Sequence, residues 1–126
     1  MNTLVKFVDP LITGQSMAAS FNGTPTNIQF FNDVGIQLAW TGSNPIGTIG
    51  VQVSNDYDPH FPAGPATWTP IQSSPGTPIT VAPGGSAGNA YFNLDGLAAA
   101  YVQVTYTTAG GSSGALTSKL TAKTGA

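Results

Sequence analysis

Between Gly47 and Ile71 the chain alternates, breaks, and alternates again. Gly47-Thr-Ile-Gly-Val-Gln-Val-Ser54 sets Ile49, Val51 and Val53 on one face and Thr48, Gln52 and Ser54 on the other. Side chains along an extended backbone point to opposite faces with period two, so this stretch reads as a half-buried strand. A polar, proline-rich excursion follows, Asn55-Asp-Tyr-Asp-Pro-His-Phe-Pro-Ala-Gly-Pro65, and a second strand opens at Ala66-Thr-Trp-Thr-Pro-Ile71. Two such runs around a turn-rich loop are expected to be antiparallel neighbours. Gly35-Ile-Gln-Leu-Ala-Trp-Thr41 alternates too, with Ile36, Leu38 and Trp40 in phase. The three segments together suggest the central wall of a β-sandwich.

Composition supports an all-β fold. The chain has no Glu and no Arg, and its charges are Asp9, Asp33, Asp56, Asp58, Asp95, Lys6, Lys119 and Lys123. Strong helix formers are therefore scarce, while Thr, Val, Ile and aromatic residues, which favour strands, are plentiful. Charged residues make up 6% of the chain, where about a quarter is usual. Disorder is the plain alternative, but 40% apolar residues in clean alternation argue against it. A near-neutral surface opposes association weakly, which suits a protein that sits against a partner.

At 126 residues one domain is expected, 1–126, with 1–13 readable as an extended N-terminal arm. With no Cys there is no disulfide framework and no thiolate metal site. The first ten residues are too interrupted for a signal peptide, so synthesis in the cytoplasm is expected. No apolar run approaches the ~18 residues of a membrane span. Three Lys and a net charge of −2 argue against binding nucleic acid through its phosphates.

Along the chain, strands are expected at Leu4 to Val8 (ended by Asp9-Pro10), Gln15 to Phe21, Thr26 to Phe31, Ile79 to Val81 and Ala90 to Leu94. Leu97 to Ala100 suggests one helical turn. Tyr101-Val-Gln-Val-Thr-Tyr-Thr107 and Ala115-Leu-Thr-Ser-Lys-Leu-Thr121, joined by a Gly/Ser-rich link, are expected to form a closing hairpin. Val102, Val104 and Tyr106 would share a core face with Leu116 and Leu120, leaving Lys119 and Lys123 in solvent. The sum is about eight to ten short strands, an antiparallel β-sandwich of jelly-roll type.

Gly47 to Asp56, then Ala66 to Ile71, then Ala100-Tyr-Val-Gln-Val-Thr-Tyr106 with its Gly/Ser turn and closing strand, make a pattern across residues 35–124. It resembles small β-sandwich virion proteins of tailed bacteriophages. That resemblance implies a non-enzymatic structural component of the particle: a capsid cement or decoration protein, or a neck or tail accessory. It implies no cofactor, location in the virion, and other virion proteins as partners (major capsid, neck or tail protein). Self-association into a homo-oligomer is expected with it, a trimer among the arrangements. The chain departs from the pattern at Tyr57 to Pro65, which lengthens the gap before Trp68. The same layout also resembles discoidin-like jelly rolls, which bind sugars, so a carbohydrate-binding module is the alternative.

Each candidate site has a plain counterpart. Asn55, Asp56 and Asp58 crowd hard oxygen ligands that could hold Ca²⁺. The full calcium-loop spacing is missing, however, and Asp and Asn are ordinary turn residues. His60, the only His, would need a nucleophile and an orienting acid beside it to work in a hydrolytic triad. Nothing in the sequence places Ser54, Asp56 or Asp58 in those roles. The five Asp are scattered through turns, which is weak support for a glycosidase pair. No residue is therefore assigned a catalytic, cofactor-binding or metal role. Trp40 is expected in the core. Tyr57, His60, Phe61 and Trp68 are the residues expected at a partner interface, where aromatic rings anchor binding.

Overall fold

A computed structural model of the chain describes residues 5–31, 33–94 and 98–124. Among them are twelve strands. They are β1 (Val5–Ser16), β2 (Phe21–Asn22), β3 (Thr26–Asn27), β4 (Asp33–Thr41), β5 (Thr48–Ser54) and β6 (Thr69–Pro70), then β7 (Gln72–Ser74), β8 (Thr77–Pro78), β9 (Thr80–Val81), β10 (Gly88–Asn93), β11 (Tyr101–Thr107) and β12 (Ala115–Thr124). One sheet runs β1-β12-β4-β10. The other runs β2-β11-β5-β6, with β3 also on β11 and β9 also on β5. All of these pairings are antiparallel. A small β7-β8 hairpin interrupts the edge between β6 and β9.

The pairing follows one rule. If the chain is folded back on itself at the loop after β5, its first strand meets its last. Then β2 and β3 meet β11, β4 meets β10, and β5 meets β6 and β9. A long hairpin rolled into two sheets in this way is a jelly roll. The Gly47–Ile71 stretch lies at the tip of that hairpin. The core between the sheets is built from the alternating faces: Ile36, Leu38 and Trp40 of β4, Ile49 and Val51 of β5, Val102, Val104 and Tyr106 of β11, and Leu116 and Leu120 of β12 are buried. Trp40 is in the core as expected, and its indole N–H donates to the Ser86 carbonyl at 3.1 Å.

Two expected neighbourhoods do not form. β4 and β5 belong to different sheets, so the three alternating segments are not one wall. Only β5 and β6 pair, through Gln52 with Pro70 and Val53 with Thr69. Likewise β11 and β12 do not make a hairpin. Each already has two neighbours, β11 between β2/β3 and β5, and β12 between β1 and β4, so no edge is left for the other. The links after β4 and β11 instead cross from sheet to sheet, and they meet at Gly42 (φ 121°) and Gly114 (φ 123°). Both backbones are in a region open to glycine alone. A Cβ on Gly114 would also strike the Thr41 carbonyl oxygen.

The ends of several strands also shift. Asp9-Pro10 does not end the first strand. β1 continues to Ser16 through two register breaks, and its outer position tolerates a proline without a donor. From Val5 onward the residues considered as an arm thus pair with β12, while residues 1–4 lie outside the described ones. The expected Gln15–Phe21 strand is a strand end, a turn through Met17, and the short β2, with Met17 buried and Ala19 exposed. The strand expected over Thr26–Phe31 stops at Asn27, where the backbone turns. Of the helical turn expected at Leu97–Ala100, Leu97 lies outside the described residues and the rest is not helical.

Candidate functional site

The two ends of the sandwich differ. At one end the connections 17–20, 42–47, 82–87 and 108–114 are tied together by hydrogen bonds, with the buried Tyr106 and Ser112 hydroxyls at their centre. The Tyr106 hydroxyl lies 3.0 Å from the Met17 carbonyl and 2.8 Å from Ser112 Oγ, and it also reaches the Ile46 carbonyl. Ser112 Oγ donates to that same Ile46 carbonyl at 3.0 Å. Asn44 Nδ2 donates to the Gly111 carbonyl at 2.9 Å, and the Gly85 N–H to the Pro45 carbonyl at 2.8 Å. This end is closed.

The other end carries the loops that follow β3, β5 and β10. Two hydrogen bonds, one backbone to backbone and one to the Asn55 side chain, hold them in order. The Ile28 N–H donates to the Ala100 carbonyl at 2.9 Å, and the Ala100 N–H donates to Asn55 Oδ1 at 2.9 Å. Phe30 on the first loop is 79% exposed and Phe61 on the second 62% exposed. A large apolar ring left in water is the kind of feature that calls for a partner, more so when two share one end.

The Asn55–Pro65 loop is built by its own polar residues. Asp56 Oδ1 accepts from Ser54 Oγ at 2.7 Å and from the Thr67 N–H at 2.8 Å, so the carboxylate clasps the two ends of the loop. These donors, Ser54 first, hold the Asp56 carboxyl below the usual aspartate range. Asp58 Oδ1 accepts from the His60 N–H at 2.9 Å, and turns follow at Phe61 to Asp58 and Gly64 to Phe61. The Phe61 ring lies against Gly64, whose added Cβ would collide with it. The loop is thus shaped by hydrogen bonds and a ring contact of its own.

Of the four residues expected at an interface, the structure separates two pairs. His60 and Phe61 are exposed at the loop's tip. Tyr57 and Trp68 are half-buried and pack inward. The Tyr57 ring centroid lies 5.6 Å from that of Trp68, tilted by 49°, and 5.1 Å from that of Tyr101, edge-on at 70°. Tyr101 completes this cluster from the start of β11, a position that local sequence cannot connect to the loop. Phe30, expected within the Thr26–Phe31 strand, lies on the turn that follows β3. Beside the loop's base lies a recess of about 370 Å³ lined by Ser54, Asn55, Asp56, Thr67, Thr69 and Ala99 among others.

The chemistry weighed from sequence finds its residues otherwise engaged. Asp56 and Asp58 each spend a carboxylate oxygen on the loop's own backbone. Among the described residues, no three of His, Cys, Asp and Glu gather around one point. Ser54 is buried and donates to Asp56, and among the described residues no hydrogen bond joins the His60 ring to either.

No protein-family model and no curated protein sequence matches the chain. Among the solved structures similar in shape are two that align over nearly the whole chain. One is the SPBc2 prophage-derived protein YomS, at 12% identity and a TM-score of 0.58, covering 97% of this chain and 96% of that one. The other is FLHE, at 11% identity and a TM-score of 0.43, with the same coverage. The likeness to the first, end to end at so low an identity, is a likeness of fold.

Proposed function

We propose that this protein is a non-enzymatic structural component of a bacteriophage particle. It acts as a capsid cement or decoration protein or as a neck or tail accessory, and it binds another virion protein through the end of the sandwich that carries Phe30 and Phe61. The asymmetry of the two ends carries this reading. One end is sealed by the Tyr106 network, while the other presents two exposed rings, 79% and 62% accessible, on loops braced from within. Pro59, Pro62 and Pro65 restrict the second loop, so less freedom is lost when it docks. Phenylalanine buries a large area for few frozen torsions. With only 6% charged residues, contact by apolar surface is favoured over charge pairing. The prophage origin of YomS, a protein of similar fold, supports the setting.

The test is incorporation. Particles produced by the strain that carries the gene are purified and their proteins counted by mass spectrometry. The wild-type chain should be present at a fixed copy number. A Phe30→Ser, Phe61→Ser double variant should be missing from the particles while keeping wild-type circular dichroism and Tm. Its incorporation at the wild-type copy number, or the absence of the wild-type chain from particles, would overturn the proposal. A variant of Trp68 that enters particles normally but loses a glycan would favour the carbohydrate-module alternative.

A further inference from the structure

The two sheets have four lateral edges, and three of them are blunted. β1 carries Lys6, Pro10 and two register breaks. The β2/β3 edge is two strands of two residues each, split by Gly23-Thr24-Pro25. The β6/β9 edge is as short, holds Pro70, and is split by the β7-β8 hairpin. Short strands, prolines, lysines and bulges are the devices by which proteins keep stray strands from pairing. β10 has none of them. It is a regular run of six residues, Gly88-Asn-Ala-Tyr-Phe-Asn93, without charge, proline or register break. Among the described residues its only neighbour is β4.

The direction of its backbone groups can be worked out. The Leu94 N–H donates to the Val34 carbonyl of the β4 side at 2.8 Å. In an antiparallel pair, successive residues turn their N–H and C=O alternately toward and away from the neighbour. Phe92 and Ala90 therefore face β4, while Asn89, Tyr91 and Asn93 turn donors and acceptors to the open edge. The Tyr91 side chain leaves that edge clear, because it leans the other way, across β4. Its hydroxyl sits where a Cβ on Gly35 would be.

We propose that this edge pairs antiparallel with β10 of a second copy, about a two-fold axis at Tyr91. The two four-stranded sheets then become one continuous sheet. Tyr91 lies opposite Tyr91 of the second copy, and Asn89 opposite its Asn93. Each of these pairs exchanges two backbone hydrogen bonds, since each residue offers both groups outward. The contact is self-complementary, as a two-fold interface must be. No charged side chain of β10 meets its own copy across the axis. The asparagine amides fall opposite each other, where cross-strand side chains interact. This contact uses the side of the sandwich and is independent of the particle-binding end.

The chain has no Cys, so Tyr91→Cys introduces a single thiol. A two-fold pairing brings it opposite its copy at a Cα separation of about 5.5 Å, inside the disulfide range of roughly 4.4–6.8 Å. Mild oxidation should convert this variant to a covalent dimer on a non-reducing gel, while Lys119→Cys on the same face should stay monomeric there. By sedimentation, wild type should have dimer mass. Asn89→Pro removes one outward N–H without touching the β4 ladder, and Tyr91→Lys sets like charges across the axis. Both should sediment as monomers with wild-type circular dichroism, and their Tm, unlike that of wild type, should not depend on protein concentration. The Phe30→Ser, Phe61→Ser variant should remain a dimer, which separates this contact from the particle-binding one. A wild type that stays monomeric at high concentration, a dimer that survives both Asn89→Pro and Tyr91→Lys, or cross-linking of Lys119→Cys as readily as Tyr91→Cys would overturn the proposal.

Discussion

The carboxylate of Asp56 accepts the backbone N–H of Thr67 at 2.8 Å, eleven residues further along the chain. With the Ser54 hydroxyl at 2.7 Å on the same oxygen, it clasps the loop that carries Phe61. The clasp depends on charge. An aspartate whose folded pKa lies below its unfolded one binds fewer protons folded than unfolded, so stability rises with pH between the two values. The contribution of Asp56 is complete above the ordinary aspartate pKa of about 3.9 and is lost as pH falls toward the lower folded value. Asp56→Asn should therefore melt below wild type by an amount that is constant at neutral pH and shrinks below about pH 4. Thermal melts across a pH series check this. A difference that does not change with pH would show the clasp to be independent of charge.

Tyr57 and Phe61 are four positions apart on one loop, yet their variants should behave differently. Tyr57 contacts two rings, and an aromatic pair contributes about 0.5–1.5 kcal/mol beyond its buried area. Tyr57→Ala should therefore lose on the order of 2 kcal/mol in a denaturant titration. Phe61→Ala, at an exposed position, should stay within about 0.5 kcal/mol of wild type. Equal losses would mean that Phe61 also braces the fold.

Removing the Tyr106 hydroxyl should open the closed end. Tyr106→Phe keeps the ring that packs against Phe21 at 5.3 Å and deletes only the polar group among Met17, Ile46 and Ser112. Leaving buried partners unsatisfied costs about 1–3 kcal/mol. A Tm lower by several degrees is expected, with faster hydrogen exchange in residues 108–114.

Ser118 predicts a change of the opposite sign. It is fully buried on the core face of β12, between Leu116 and Leu120, and its hydroxyl has no hydrogen-bond partner. Ser118→Ala removes a polar group that gains nothing from burial, so stability should rise by about 1 kcal/mol. Calorimetry decides. A fall in Tm would show that the hydroxyl is satisfied in solution by a bound water.

Which face each strand buries was legible in the sequence, and which strand lies beside it was not. Ile36, Leu38 and Trp40, or Val102, Val104 and Tyr106, declare a core face because period two is a property of one strand alone. Pairing is a property of two. The links after Thr41 and Thr107 look like hairpin turns in their Gly, Ser and Asn content, but glycine at positive φ serves a crossing between sheets as well as a tight turn. The candidate site divides in the same way. Phe61 and His60 could be placed on an exposed loop from their prolines and polar neighbours. That Tyr57 and Trp68 turn inward depended on Tyr101, which the chain brings to them only after β11 has entered its sheet. Phe30 is expected in a strand from Thr26 to Phe31, with the adjacent Phe31 ring on the opposite face, and stands instead on the turn after β3, in water.

The pairing of β1 with β12 has a consequence for how the molecule is made. β1 is the first described strand to leave a ribosome and its partner is the last. At about 5–20 residues per second, roughly 5–20 seconds pass between them. For that time β1 is a strand without a sheet, while β11 and β5, β4 and β10 are still finding each other. Long-range pairing of this kind folds slowly and leaves edges open to other nascent chains. Pro10 and the irregular register that follows it make β1 a poor template for a stranger, so the features that blunt an edge in the finished protein also guard an orphan strand during synthesis.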